Sequence, residues 1–150
     1  MRSVYLVLTV ILLVALTVQF YLAGVGVFSN PDDELFSFHG MNGRYVLTVA
    51  SLLLLIVSFF IKAGGRTIAL SALPLVLILL QPGLFMLAGL FVNPDAPADS
   101  MAATIIVSFH VLVGLGAWVV TYHLFNRARG LVSTAKAASA PAAESESVSV

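Results

Sequence analysis

The sequence predicts an all-α fold, a four-helix transmembrane bundle running up-down-up-down with both termini cytoplasmic. Three observations carry this expectation. Hydrophobic residues make up 60% of the chain and charged residues 9%, far below the ~25% charged typical of soluble domains. Four apolar runs, roughly residues 4–28, 36–61, 67–92 and 101–125, fill a membrane domain over residues 1–129. About 20 residues are enough to cross a bilayer as a helix. Finally, the basic residues gather on one side of these runs.

The first run follows Arg2 and continues to Phe28. Signal-peptide apolar regions span only about 7–15 residues, so this run reads as a retained helix. The stretch Asn30-Pro31-Asp32-Asp33-Glu34 has the marks of a helix start: a capping side chain, proline at the first helical position and acids in the first turn. The second run ends at a tight Gly64-Gly65 turn. The third carries Pro74 and Pro82, each of which removes a backbone donor, so a kink is expected beside Gln81. A Pro94–Pro97 turn precedes the fourth run, which Asp99 or Ser100 caps. Residues 130–150 are rich in Ala, Ser and Glu and read as a disordered cytoplasmic tail.

Arg2, Lys62, Arg66, Arg127, Arg129 and Lys136 flank the helix ends on one side, and Arg44 is the exception. The positive-inside rule makes that side cytoplasmic. The expected location is therefore the cytoplasmic (plasma) membrane, with the lipid bilayer as the main partner. The formal net charge is zero, and no basic cluster points to nucleic acid. The chain has no cysteine, which excludes disulfides, thiolate chemistry, iron–sulfur clusters and thioether-linked haem.

Each run places one strong hydrogen-bonding side chain in the outer half. Counting ~1.5 Å per residue from the outer ends, Gln19 and His110 lie about 13 Å deep, Gln81 about 16 Å and His39 about 5 Å. His39 and His110 are thus about 8 Å apart along the membrane normal. Small residues share their faces: Ala15, Gln19, Ala23 and Gly26 in the first run; His39, Gly43, Val46 and Ala50 in the second; His110, Gly114, Ala117 and Thr121 in the fourth. Small residues let helices approach closely, or leave room for a flat ligand.

Two neutral imidazoles on facing helices suit the axial positions of a b-type haem. His39 and His110 are the candidate ligands of haem b. Arg44 and Asn42 are candidate propionate contacts. Gln19 and Gln81 are candidate partners for a ring substituent, a water or a ligating histidine's second nitrogen. In the plainer alternative, His110 bonds to Gln19 or Gln81 as interhelical glue, and Arg44 snorkels or pairs with Glu34 or Asp33. A bare copper or zinc ion lacks an apparent third ligand. His123, near Arg127 and on another face, reads as interfacial.

QFYLAGVGVF, ELFSFHG, LLQPGLFMLAG and FHVLVGLGAW, one from each run, together resemble a single four-helix repeat of haem A synthase over roughly Gln19–Trp118. That family has two tandem repeats, with glutamine–glycine signatures in the odd helices and a haem-ligating histidine on each even helix. The resemblance implies His39 and His110 as the ligand pair. It places Glu34 near the family's acidic position. Here there is one repeat, no cysteine pair, and Gly40 in place of an arginine after the first histidine. The chain also resembles small uncharacterised four-helix bacterial membrane proteins with a domain of unknown function, a group that implies no activity. Haem binding is therefore carried over and oxygenase chemistry is not. The resulting expectation is electron transfer or haem handling near the outer face, with a quinone or soluble redox partner. By analogy with the tandem form, a homodimer is also expected. The rival from another class is a non-enzymatic membrane scaffold or accessory subunit.

Overall fold

The computed structural model describes residues 1–92 and 100–138. It forms four long helices: α1 (Arg2–Phe28), α2 (Phe36–Phe60), α3 (Gly65–Gly89) and α4 (Met101–Ala138). All four are long and apolar enough to cross a membrane. Each packs on the next in sequence, and α4 closes the ring against α1. Large apolar side chains such as Val7, Val14, Leu53, Phe59, Leu80 and Leu112 point outward, as a lipid-facing surface requires.

The connections follow local chemistry. Asn30 accepts the Asp32 N–H on its side chain at 3.3 Å, and Pro31 opens the turn behind it. The expected helix start is one 3-10 turn, Pro31–Asp33, which Glu34 ends by entering the left-handed region at φ 51°. α2 then begins at Phe36. Between α2 and α3, Lys62 (φ 53°) and Gly64 (φ 84°) reverse the chain. Ser100 caps α4, its hydroxyl accepting the Ala103 N–H at 3.2 Å and donating to the Phe91 carbonyl at 2.7 Å. The Pro94–Pro97 turn and Asp99 lie outside the described residues.

Two expectations are revised. The tail was placed from residue 130, but α4 continues through Ala138. Leu131–Ala138 contains no Gly or Pro and has three alanines, which favour helix. The Arg2 guanidinium also donates to the Leu131 carbonyl at 3.3 Å. Residues 139–150 lie outside the described residues. The second revision concerns α2, which contains a π-helical turn over Asn42–Leu47. That turn inserts one residue into the α rhythm. The inward stripe therefore passes from Gly43 to Leu47, Ala50, Ser51 and Leu54, while Val46 is 47% exposed.

The half of the bundle away from His39 and His110 is packed with Leu12, Leu54, Leu124 and Tyr5, all buried. Buried hydroxyls lie among them. Thr9, Ser51, Ser58, Thr67, Ser71 and Thr121 each donate to a carbonyl three or four residues back in the chain. They act as small spacers whose polarity is satisfied locally. Across the centre, the Tyr5 hydroxyl meets Ser71 Oγ at 2.7 Å, joining α1 to α3. Arg127 Nε donates to Thr67 Oγ1 at 2.7 Å, tying α4 to α3 at the same end.

Candidate functional site: a paired glutamine–histidine layer

The polar residues of the four helices meet in one layer, arranged as two clasps. In the first, Gln19 of α1 grips His39 of α2. The Gln19 Nε2 donates to the His39 carbonyl at 3.1 Å and lies 3.2 Å from His39 Nε2. His39 Nδ1 lies 3.1 Å from the Gln19 carbonyl. A carbonyl only accepts, so Nδ1 carries the proton and Nε2 accepts from the Gln19 amide. Asn42 fixes that amide by donating to Gln19 Oε1 at 2.7 Å and to the Ala15 carbonyl at 3.1 Å. Gly43 makes the approach possible, since a Cβ there would stand 3.1 Å from Gln19 Nε2.

The second clasp joins Gln81 of α3 to His110 of α4. The amide orientation that satisfies both ends has the Gln81 nitrogen donating to His110 Nδ1 and to the His110 carbonyl (3.2 Å), while its oxygen accepts the Gly114 N–H at 3.1 Å. His110 Nε2 has no partner among the described residues. Pro82 follows Gln81 inside α3 and leaves the Ile78 carbonyl without its helical donor.

The clasps bring the two imidazoles together. Their ring centroids are 5.9 Å apart, with planes at 58°. Phe36 lies tilted by 30° against His39 at 5.1 Å, and Phe85 meets His110 edge-on at 5.0 Å, so the four rings form a row. The depth count of ~8 Å overstates the separation because α2 does not begin at the end of the bundle. Phe36 sits against Gly26, where an added Cβ would lie 2.8 Å from the Phe36 Cα.

The histidines stand between two cavities of about 550 Å³ each. The inner one is bounded by Leu16, Leu47, Ile78 and Ala117, and the outer one by Val27, Ala103, Thr104 and Ser108. Both volumes fall within the roughly 300–1,000 Å³ of organic-ligand sites. Among the described residues no group of three or more His, Cys, Asp and Glu is placed to hold a metal ion.

All five candidate residues line the inner cavity: His39, His110, Gln19, Gln81 and Arg44. Arg44 is exposed there and makes no ion pair with Asp33 or Glu34 among the described residues. Asn42 turns out to be the lock of the first clasp, in addition to its expected nearness to His39. Phe36 and Phe85 were missed. Helical spacing offered a signal for both: Phe36 lies three residues before His39, and Phe85 four after Gln81.

Fold and site together define a membrane-compatible four-helix bundle with paired histidines clasped by glutamines. A family of unknown function, DUF6220, matches residues 19–89, and the chain is similar to it over that stretch. The match includes Gln19, His39 and Gln81 and stops short of His110. No curated protein and no solved structure matches the chain. The similar family has no assigned activity, so the resemblance to haem A synthase rests on the residues alone.

Proposed function

We propose that this is a small b-type haem protein of the cytoplasmic membrane, with the iron held at the His39–His110 pair. One observation carries the reading: two imidazoles face each other 5.9 Å apart beside a cavity of about 550 Å³. Bonds of about 2 Å from each imidazole to a shared metal place the ring centres roughly 6 Å apart. The donor set suits a macrocycle better than a bare ion. Two histidines without a third protein ligand would leave a bare ion under-coordinated, whereas a haem would bring most of its iron's donors with it and would need only the two imidazoles from the protein.

The surroundings suit the same group. Ala23, Gly40 and Ala117 leave room beside the rings, and Phe20, Phe36 and Phe85 give apolar faces. His39 Nδ1 already donates to the Gln19 carbonyl. Such a bond orients a ligating histidine and raises its basicity. The guanidinium of Arg44, without a hydrogen bond or ion pair among the described residues, is available to a propionate. When bound, haem supplies one-electron chemistry, which supports a role in electron transfer or haem handling with a quinone or soluble partner; a homodimer rests only on analogy with the tandem form. Arg2, Lys62, Arg66 and Arg127 gather towards the opposite end; the positive-inside rule favours that end as cytoplasmic, which supports a haem near the outer face.

The test is a visible spectrum of the purified, reduced protein after expression with ample haem. A Soret band that His110→Ala abolishes and His123→Ala leaves intact supports the reading. No Soret band in the unaltered protein refutes it. A second reading, a membrane scaffold with a structural polar layer, is favoured by one fact: every buried side-chain nitrogen and oxygen among the described residues already has a partner. In that case His39→Ala and His110→Ala lose only stability, and no ligand.

A further inference from the structure

The end of the bundle away from the histidine layer carries positive charge that no carboxylate among the described residues offsets. Arg2 of α1, Lys62 in the α2–α3 turn, Arg66 of α3, and Arg127 and Arg129 of α4 gather there. The acids among the described residues are Asp32, Asp33 and Glu34, all in the α1–α2 connection at the other end. Arg127 is the centre of the basic group. It is half-buried, and its Nε donates to Thr67 Oγ1 at 2.7 Å. Thr67 gives its own proton to the Ala63 carbonyl at 2.9 Å, so its oxygen is the acceptor. The contact places the guanidinium beside the start of α3, with both Nη nitrogens unpartnered among the described residues. Arg66, the residue before Thr67, is exposed and unbonded, as is Lys62. Arg2 joins from α1 by donating to the Leu131 carbonyl at 3.3 Å, one turn beyond Arg127. Three helices thus bring guanidinium groups to the neighbourhood of Arg127.

We infer that this end of the bundle binds the phosphate of an anionic glycerophospholipid, held by Arg127 with Arg66, Lys62 and Arg2 around it. The inference is independent of the haem reading. A half-buried guanidinium calls for a counter-charge, because desolvating it without one is costly. Its flat fork of N–H donors matches phosphate oxygens, and basic pockets between transmembrane helices take up acidic headgroups in this way. The level is that of a lipid headgroup. Thr67 lies in the first turn of α3, where the apolar span begins. Phe59 and Phe60, exposed at the end of α2 just before Lys62, offer an apolar surface for acyl chains. A zwitterionic headgroup carries its own cation and satisfies this cluster less well than an anionic one.

The probe is dioleoyl phosphatidylglycerol, titrated into the full-length protein in a neutral detergent and counted on the protein by native mass spectrometry, with dioleoyl phosphatidylcholine as the control. Salt of about 0.3 M screens diffuse surface charge. Phosphatidylglycerol should bind about tenfold more tightly than phosphatidylcholine, and Arg127→Gln should remove about that preference. Arg66→Gln should weaken binding about fivefold, the weight of one basic side chain near an anionic surface. Arg66 makes no bond, so this variant carries the test if Arg127→Gln does not fold. Arg129 is exposed over the Phe125 ring at 5.6 Å. Arg129→Gln removes the same charge and should change the affinity by less than about twofold at this salt. The inference fails if the two lipids bind equally, if Arg66→Gln leaves the affinity unchanged, or if Arg129→Gln weakens binding as much as Arg127→Gln. Displacement of the lipid by millimolar inorganic phosphate would make this a soluble-anion site and overturn the lipid assignment. Residues 139–150 include Glu144 and Glu146. If Glu144→Gln/Glu146→Gln lowers the melting temperature as much as Arg127→Gln does, the counter-charge is the chain's own and the inference fails.

Discussion

Gly24 and Gly26 lie two residues apart in α1, and alanine at each should have opposite effects. A Cβ at Gly24 meets nothing within 4 Å. A Cβ at Gly26 would lie 2.8 Å from the Phe36 Cα and 2.9 Å from its Cβ. Carbon atoms pack at about 3.5–4.0 Å, so the start of α2 must retreat by about 0.7 Å or more. The obstacle is backbone, which no rotamer change relieves. Overpacking of this kind costs about 1–3 kcal/mol. Gly24→Ala instead gains helix propensity of up to ~1 kcal/mol. The two variants should therefore differ by about 1–4 kcal/mol. For a chain of this size that is roughly 2–16 °C in melting temperature, measurable by circular dichroism in detergent. Because Phe36 lies against His39, Gly26→Ala should also disturb the histidine layer, and Gly24→Ala should not. Equal melting temperatures for the two variants would refute the tight α1–α2 contact, and with it the explanation of His39's depth.

The remaining stability predictions concern the other end of the bundle. Gly64 has φ 84° and ψ 160°, a region open almost only to glycine, so Gly64→Ala should destabilise by about 1–3 kcal/mol in thermal unfolding. Tyr5→Phe removes the Ser71 contact but leaves Ser71 donating to the Thr67 carbonyl, and should cost about 0.6–1.7 kcal/mol. Ser71→Ala strands a fully buried tyrosine hydroxyl, and should cost more, about 1–3 kcal/mol. The reverse order in denaturation experiments would contradict a bond donated by Tyr5 to a Ser71 that itself donates to Thr67.

The four helices were legible because lipid imposes a simple demand, a long run of apolar residues with internal backbone bonding. The convergence of Gln19, His39, Gln81 and His110 was legible for a related reason, since strong polar groups in lipid seek one another. Three features were not. The π turn leaves no compositional trace: Asn42–Leu47 reads as ordinary helix, and only the inward position of Leu47 in place of Val46 reveals the insertion. The depth of His39 depended on where α2 begins, which the Gly26–Phe36 contact sets from outside α2. The extension of α4 was masked by a polar composition that suits either an exposed helix or an unstructured tail.

The two clasps share one pattern and depart from it in one place. In each, an odd helix supplies a glutamine, and the following even helix supplies a histidine with a glycine four residues later: Gln19 with His39 and Gly43, and Gln81 with His110 and Gly114. Four residues is one turn on the same face, so the glycine opens the space under the ring that the amide enters. A Cβ would stand 3.1 Å from the amide nitrogen in the first clasp and 3.7 Å from the end of the amide that faces Gly114, its oxygen, in the second. The departure is confined to α2. There the π turn begins at Asn42, the residue that locks Gln19, whereas α4 continues as regular helix through Val113. The Gln81 amide needs no third side chain, because the His110 carbonyl and the Gly114 N–H hold both its ends.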